Sequence, residues 1–351
     1  MVEPRTMIYG ANGYTGELIA RHAIQRGLKP VLAGRNAEAI GRLALELGCE
    51  ALVFQLRQAS QIAEQLKGFA AVMHCAGPFS ATAEPMMEAC LSARTHYLDI
   101  TGEIDVILAA HALNERARQA GVSLLPAVGF DVVPTDCLAA MLAERLPGAR
   151  VLQLAFAADG GLSPGTSKTM VEALPRGGRV RIDGQIRAVP AAYKTMQVPF
   201  RNRTLTAMTI PWGDVASAYY STGIPNIEVY ASSPPKQIAR LRRIRFLLPL
   251  MAFKPFQAFA KRRVEKSVAG PSESERESGR SSLWGRVSDD QGKSVSATLE
   301  TLSGYKLTAL TAVAALERVL DKRVSPGFST ASQAFGREFI LGFPDTDIEW
   351  D

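Results

Sequence analysis

Two periods alternate along the first third of the chain. Short, nearly continuous apolar runs are separated by longer stretches whose apolar residues recur every three or four positions, the pattern of buried strands alternating with amphipathic helices. The runs predict strands at Thr6–Tyr9, Pro30–Ala33, Ala51–Phe54, Ala71–His74, Tyr97–Ile100 and Ser123–Pro126. Between them the pattern predicts helices at Glu17–Arg26, Ala37–Leu47, Ser60–Leu66, Ala83–Ala93 and Asp105–Ala120. Such alternation defines an α/β domain, a doubly wound parallel sheet with helices on both faces, over residues 1–128. Past Gly129 the strands lengthen and alternate, at Val151–Ala157, Arg179–Val189, Ile227–Tyr230 and Val295–Thr301, after a helix at Val133–Arg145. This describes a second, α+β domain with a mixed or antiparallel sheet over residues 129–351. Ala269–Arg280 reads as an exposed loop, Tyr305–Asp321 as a helix, and Gly327–Gly342 as a terminal segment that folds back onto the first domain. Two domains suit a chain of 351 residues.

The first strand runs into Gly10-Ala11-Asn12-Gly13-Tyr14-Thr15-Gly16 and then a helix. Each glycine has a physical task. Gly10 takes the tight turn, Gly13 lets backbone amides approach a diphosphate, and Gly16 lets helix and strand pack closely. The diphosphate then sits on the positive helix end. This is the layout of a Rossmann dinucleotide site, spaced G-x-x-G-x-x-G. The second strand ends in Gly34-Arg35-Asn36, with no acid to hold a ribose 2′-hydroxyl. Arg35 instead offers a planar cation for a 2′-phosphate, so the expected cofactor is NADP(H). Cys75-Ala76-Gly77-Pro78, at the end of the fourth strand, has the small residues that let backbone run beside the ribose and nicotinamide half.

Composition narrows the classes. The chain is 47% hydrophobic and 21% charged, with a net charge of +6, and its cations are scattered except for Arg240–Arg245 and Lys261-Arg262-Arg263. Nucleic-acid binding is therefore not expected. Four dispersed cysteines and four dispersed histidines give no metal-ligand spacing, and the thiols read as reduced, in a cytoplasmic protein. No charged-then-apolar leader is evident. Phe246–Ala260 is apolar and aromatic but shorter than the ~20 residues of a membrane span. With its basic flanks, residues 240–263 make a candidate for peripheral membrane contact or for a greasy substrate entrance; a core or interdomain helix is the plain alternative.

The glycine motif, together with His74-Cys75-Ala76-Gly77-Pro78-Phe79, Thr95–Glu103 and Gly129–Asp136, resembles the saccharopine-dehydrogenase-like oxidoreductase family, in the branch that holds trans-acting enoyl reductases. Gly161–Thr166, Pro211–Asp214, Gly270-Pro271-Ser272 and Gly304–Ala309 fit as well, so the resemblance covers nearly the whole chain. It implies an NADP-binding Rossmann domain joined to an α+β domain.

Reduction of an activated C=C bond needs, besides the cofactor, an oxyanion stabiliser and a proton donor. Tyr193, Tyr219, Tyr220, Ser163, Thr166 and Lys168 are candidate donors, with Lys168 and Tyr220 preferred. Asp131 either caps the helix that follows or faces substrate; Glu103 reads first as a helix-cap or first-turn acid. The leading expectation is an NADPH-dependent reductase of a small or carrier-bound hydrophobic substrate, of enoyl thioester type, with a homodimer as a candidate assembly. Imine or amino-acid reduction, and a non-catalytic NADPH-binding protein on a lipid surface, are the alternatives.

Overall fold

β1 (Thr6–Tyr9) is buried along its whole length, as a strand covered on both faces must be. The computed structural model describes residues 4–158 and 161–351, and among them two compact units separate. One comprises Met1–Val133 and Tyr305–Gly336, the other Pro134–Gly304 and Arg337–Asp351. The sequence pattern places the division at residue 128 and returns Gly327–Gly342 to the first domain, but not the helix over Tyr305–Asp321, which the first unit also takes in. The difference is physical, because the period of a helix says that it buries a face and not which sheet it buries it against.

In the first unit β1 is followed by β2 (Val31–Gly34), β3 (Ala51–Val53), β4 (Ala71–His74), β5 (His96–Asp99) and β6 (Ser123–Leu125). They lie in the order 3-2-1-4-5-6, all parallel, and a seventh strand, Gly327–Phe328, adds parallel to β6. The order reverses at β1, so its carboxyl end opens beside that of β4 and leaves the crevice in which doubly wound sheets bind ligands. Alternation along β1 feeds two cores. Met7 and Tyr9 face Val72, Ile62, Leu66, Met86 and Met87. Ile8 faces Leu32, Met73, Ile19, Ile40, Ala312 and Leu316.

The helices of this unit are α1 (Tyr14–Gln25), α2 (Ala37–Leu47), α3 (Ala59–Leu66), α4 (Phe79–Ala93), α5 (Ile104–Ala112) and α6 (Asn114–Ala120), with Gly304–Leu320 laid on the α1 and α2 side. The helix expected over Asp105–Ala120 is two, because Leu113 has a ψ of 2° and ends the first. α4 starts four residues earlier than expected and carries Pro85 inside it, where the ring takes one amide out of the helical ladder.

The second unit contains α7 (Val133–Arg145), whose first residue falls in the first unit, and a mixed sheet. Its strands are β7 (Val151–Ala158), β8 (Gly178–Ile182), β9 (Gln185–Val189), β10 (Thr195–Phe200), β11 (Arg203–Thr209), β12 (Asn226–Ser232), β13 (Arg280–Ser288), β14 (Ser294–Leu302) and the C-terminal Asp347–Trp350. β7 and β12 pair in parallel, and the remaining pairs are antiparallel. The single strand expected over Arg179–Val189 is a hairpin: Asp183 and Gly184 take φ of 49° and 75°, the left-handed pair that a tight Asp-Gly turn requires. The loop expected over Ala269–Arg280 contains a helix, Glu273–Ser278, fixed by reciprocal bonds between Ser272 and Glu275.

Candidate functional site

The glycine turn closes on itself. Gly10, at φ 82°, donates from its amide to the carbonyl of Ala33 at 2.7 Å, and Gly13 donates to the carbonyl of Gly10 at 2.9 Å. A Cβ on Gly16 would stand 2.2 Å from that same carbonyl oxygen, so only glycine lets α1 start this close to β1. A Cβ on Gly10 would stand 2.8 Å from the amide of Ala76, which shows how tightly the turns after β1 and β4 abut at the switch point. Gly13, the N-cap of α1, is exposed and has no side chain to cover the helix end. Asn12 is exposed, with its carboxamide toward Gly34; Tyr14 and Thr15 are half-buried, and the Tyr14 ring meets Tyr305 edge-on at 5.0 Å. The cradle fits a diphosphate, which backbone amides and the helix dipole hold without a side-chain cation.

At the end of β2, Gly34 is buried and Arg35 exposed, and Arg35 has no carboxylate partner among the described residues. Its charge acts on Tyr9, whose phenol burial pushes up to about 12 while the guanidinium pulls the other way. The Tyr9 hydroxyl donates to the carbonyl of Phe54 at 2.9 Å. Asn36 serves the protein first: its side chain accepts from the amide of Ala39 at 3.1 Å and caps α2.

The turn after β4 is built by buried polar groups. His74 is fully buried and neutral, its imidazole pushed down to about 3 by desolvation. Its Nε2 meets the Thr82 hydroxyl at 3.0 Å, and that hydroxyl donates to the carbonyl of Ala76 at 2.7 Å. Cys75 has its thiol pushed far up by burial and then by the charge of Asp99, so it carries no thiolate. The Gly77–Pro78 peptide is cis, and α4 begins directly after it.

Two acids stand at the ends of β5 and β6. Glu103 is by position the N-cap of α5, yet its carboxylate reaches the neighbouring helix and accepts from the amides of Phe79 and Ser80, each at 2.9 Å. The expected helix-end role is thus met, on α4 and not on its own helix. Asp131 is held up to about 7, by burial first and by the Glu103 charge second. A Cβ on Gly102 would lie 2.6 Å from the Asp131 carboxylate, so this glycine makes room for it. The backbone leading to Asp131 is pinned from below. Asp99 accepts from the amides of Thr101 at 2.9 Å and Ala127 at 2.8 Å and from the Tyr97 hydroxyl at 2.6 Å. Ala127 is held at φ 62° by this arrangement. Burial moves Asp99 up to about 6 against the opposing pull of those three bonds. From the other side, the Thr308 hydroxyl accepts from the Phe130 amide at 2.9 Å and Thr311 donates to the carbonyl of Val128 at 2.8 Å.

Lys168 and Tyr220 both lie in the second unit, on separate helices. Lys168 is half-buried on Pro164–Ala173, whose neighbour is the helix Lys254–Ser267. Tyr220 is on Asp214–Thr222, beside Tyr219 and the buried Arg181, which lies 4.1 Å over the Tyr219 ring. Burial moves the Tyr220 phenol up, against the pull of Arg181. Asp131 belongs to the first unit. Among the described residues no group of three or more His, Cys, Asp or Glu could hold a metal ion, and no helix is long and apolar enough to cross a membrane.

Strand order, glycine turn and uncovered helix end define the first unit as a Rossmann dinucleotide-binding domain. More particularly, residues 6–125 match the family described as saccharopine dehydrogenase NADP binding domain. Among curated relatives, the chain is 27% identical over 150 residues to the saccharopine dehydrogenase-like oxidoreductase of Bos taurus, covering 37% of this chain and 35% of that protein. It is 33% identical over 139 residues to the trans-acting enoyl reductase of Mycobacterium bovis, covering 37% and 33%. The alignment thus spans about a third of the length of these relatives. In fold, the chain is similar over 99% of its length to the whole of the L-Glu-forming saccharopine dehydrogenase of Saccharomyces cerevisiae, with a TM-score of 0.67 at 11% identity. The family resemblance read from the motifs is borne out over residues 6–125, and the matched domain family is an NADP-binding one.

Sequence reasoning missed Asp99, Thr308 and the true partner of Glu103. Their signal is weak, because Thr308 and Glu103 act on backbone far away in the chain and Asp99 ties its neighbour Thr101 to the distant Ala127.

Proposed function

We propose that this protein is an NADPH-dependent reductase of an activated C=C bond in a hydrophobic, enoyl thioester-type substrate. The carrying observation is Arg35, an exposed cation without a carboxylate partner among the described residues, at the end of β2 in an NADP-binding domain. The aligned identity with a protein named trans-acting enoyl reductase supports the substrate class. When bound, NADPH supplies the hydride. The amides around Gly13 and the N-terminus of α1 would hold the diphosphate, Arg35 would pair with the 2′-phosphate, and Cys75–Pro78 would present backbone to the nicotinamide half. Asp131, poised near neutrality, holds a proton on its carboxyl at the end of β6 and gives it to the substrate α-carbon. Glu103 keeps that proton in place by its charge.

The test has two stages. Parallel thermal-shift titrations with NADPH and NADH should show stabilisation by NADPH at concentrations where NADH gives little. Absorbance of NADPH is then followed with a set of enoyl thioesters and a set of imines. Turnover of enoyl thioesters alone supports the reading, turnover of imines alone replaces it with imine reduction, and cofactor binding without any turnover replaces it with a binding role.

A further inference from the structure

The second unit carries a surface that the reductase reading does not use. Residues 235–263 hold nine lysines and arginines and no carboxylate. They fold as the helix Pro235–Ile244, a 3-10 turn Arg245–Ala252 and the helix Lys254–Ser267. The segment is anchored on its inner side. Ile238 and Leu248 are buried, the Gln257 amide donates to the carbonyls of Val171 and Met251 at 3.0 and 2.8 Å, and Lys261 pairs with Glu172. Its outer side is apolar in a way that core packing does not explain. Phe246 is 73% exposed, Leu250 72%, Phe253 67% and Phe259 63%. The adjoining helix Pro164–Ala173 adds the exposed Met170. Arg240, Arg243, Arg245, Lys254, Arg262 and Arg263 are also exposed and have no carboxylate partner among the described residues. Phe259 and Arg263 are one helical turn apart, so aromatic and cation share a stripe.

We propose that residues 235–263 dock on an anionic lipid bilayer, with Phe246, Leu250, Phe253 and Phe259 inserted at the headgroup boundary and the surrounding arginines on lipid phosphates. Charge decides between occupants. A second copy docking this face on its own counterpart would bring together two segments that each hold nine cations and no carboxylate over residues 235–263, with Glu172 beside them already paired to Lys261. A nucleic acid would satisfy the cations and stack some of the rings, but would leave Leu247 and Leu250 without apolar cover. An anionic bilayer offers phosphates to the arginines and acyl boundary to both phenylalanine and leucine, while the long cationic side chains lie along the interface.

Co-sedimentation of the full chain with phosphatidylcholine vesicles, with and without phosphatidylglycerol, tests this directly. Binding is expected on the anionic vesicles and should be at least about tenfold weaker on neutral ones, falling further as salt rises. The combined Phe246→Ser, Leu250→Ser and Phe253→Ser variant should weaken binding by about tenfold or more. The Arg243→Glu and Arg245→Glu pair should do the same on anionic vesicles only. These side chains are exposed, so both variants should keep the wild-type melt and the NADPH-induced shift. A bound fraction independent of lipid charge would overturn the proposal, as would no sedimentation with either vesicle. Loss, in the serine variant, of a concentration-dependent dimer seen by ultracentrifugation in the absence of vesicle binding would assign the face to a second copy. Failure here leaves the cofactor shift untouched, and failure of the reductase reading leaves vesicle binding untouched.

Discussion

Replacing Glu103 with Gln removes one charge and one acceptor oxygen while keeping the side-chain shape, and its cost should depend on pH. Two amides at the start of α4 lie 2.9 Å from the two carboxylate oxygens. The amide group of Gln can accept from only one of them and turns an NH2 toward the other. A charge-assisted bond is worth about 1.5–3 kcal/mol and a charge at a helix end about 0.3–1 kcal/mol. Because Glu103 is half-buried, the lower part of that sum applies, about 2 kcal/mol. A second effect opposes it. Asp131 is held at about 7, well above the ~3.9 of an unfolded aspartate. The stability tied to its proton is whole below about pH 4 and is lost as pH rises through about 7. Without the Glu103 charge the folded value drops, though burial, the larger cause, keeps it raised, and less stability is lost on ionisation. Glu103→Gln should therefore cost about 2 kcal/mol near pH 5.5 and measurably less near pH 8.5. Urea denaturation at both pH values measures the difference, and carboxyl-carbon NMR follows Asp131 itself. Equal losses at both pH values with an unmoved Asp131 titration would refute the coupling, and a loss under about 0.5 kcal/mol near pH 5.5 would refute the cap.

Three further outcomes follow from the same geometry. Arg35→Asp should weaken NADPH binding by about ten- to a hundredfold and NADH binding little, measured by calorimetry; equal loss of both would remove the 2′-phosphate contact. Gly13→Val should abolish cofactor binding and leave the fold, since a Cβ there meets the Gly10 carbonyl at a tight but survivable 3.2 Å, whereas Gly16→Ala, at 2.2 Å, should lower the melting temperature; thermal melts with and without NADPH separate the two, and a Gly16→Ala melt matching wild type would contradict the packing argument. Asp131→Asn should lower kcat on enoyl thioesters by at least about a hundredfold with KM little changed, and should erase the fall in wild-type rate expected above about pH 7; a variant with a wild-type pH profile would take Asp131 out of the chemistry.

The Rossmann strands were legible to within about a residue because their signal is local: continuous burial makes a continuous apolar run, and the turn after β1 needs glycine where the chain has it. What was hidden is mostly long-range. Glu103 looks like the cap of its own helix in sequence, and only the fold brings it to Phe79 and Ser80. Thr308 is one small polar residue in an apolar helix until the turn at Phe130 is placed against it. The seventh strand is two residues long, too short to show a period at all. The Asp183-Gly184 turn and the Ser272–Glu275 cap are different cases, since both are local signatures present in the sequence that were outweighed by the alternation and polarity around them. The roles of Lys168 and Tyr220 are not legible from pattern, because a half-buried lysine and a tyrosine beside an arginine serve packing as well as chemistry.

The return of Tyr305–Gly336 to the first sheet bears on how the chain is made. Arg26 pairs with Glu317, 291 positions downstream, and the helix that carries Glu317 covers the face formed by Ile8, Ile19 and Leu32. At ~5–20 residues per second of synthesis, that face waits tens of seconds for its cover while the whole intervening unit leaves the ribosome. Residues 6–125, the span of the matched family domain, would emerge early yet stay greasy on one side. A nascent chain stalled before residue 305 should accordingly recruit holdase chaperones, and release from them should coincide with the arrival of Ala312 and Leu316 rather than with completion of the glycine turn.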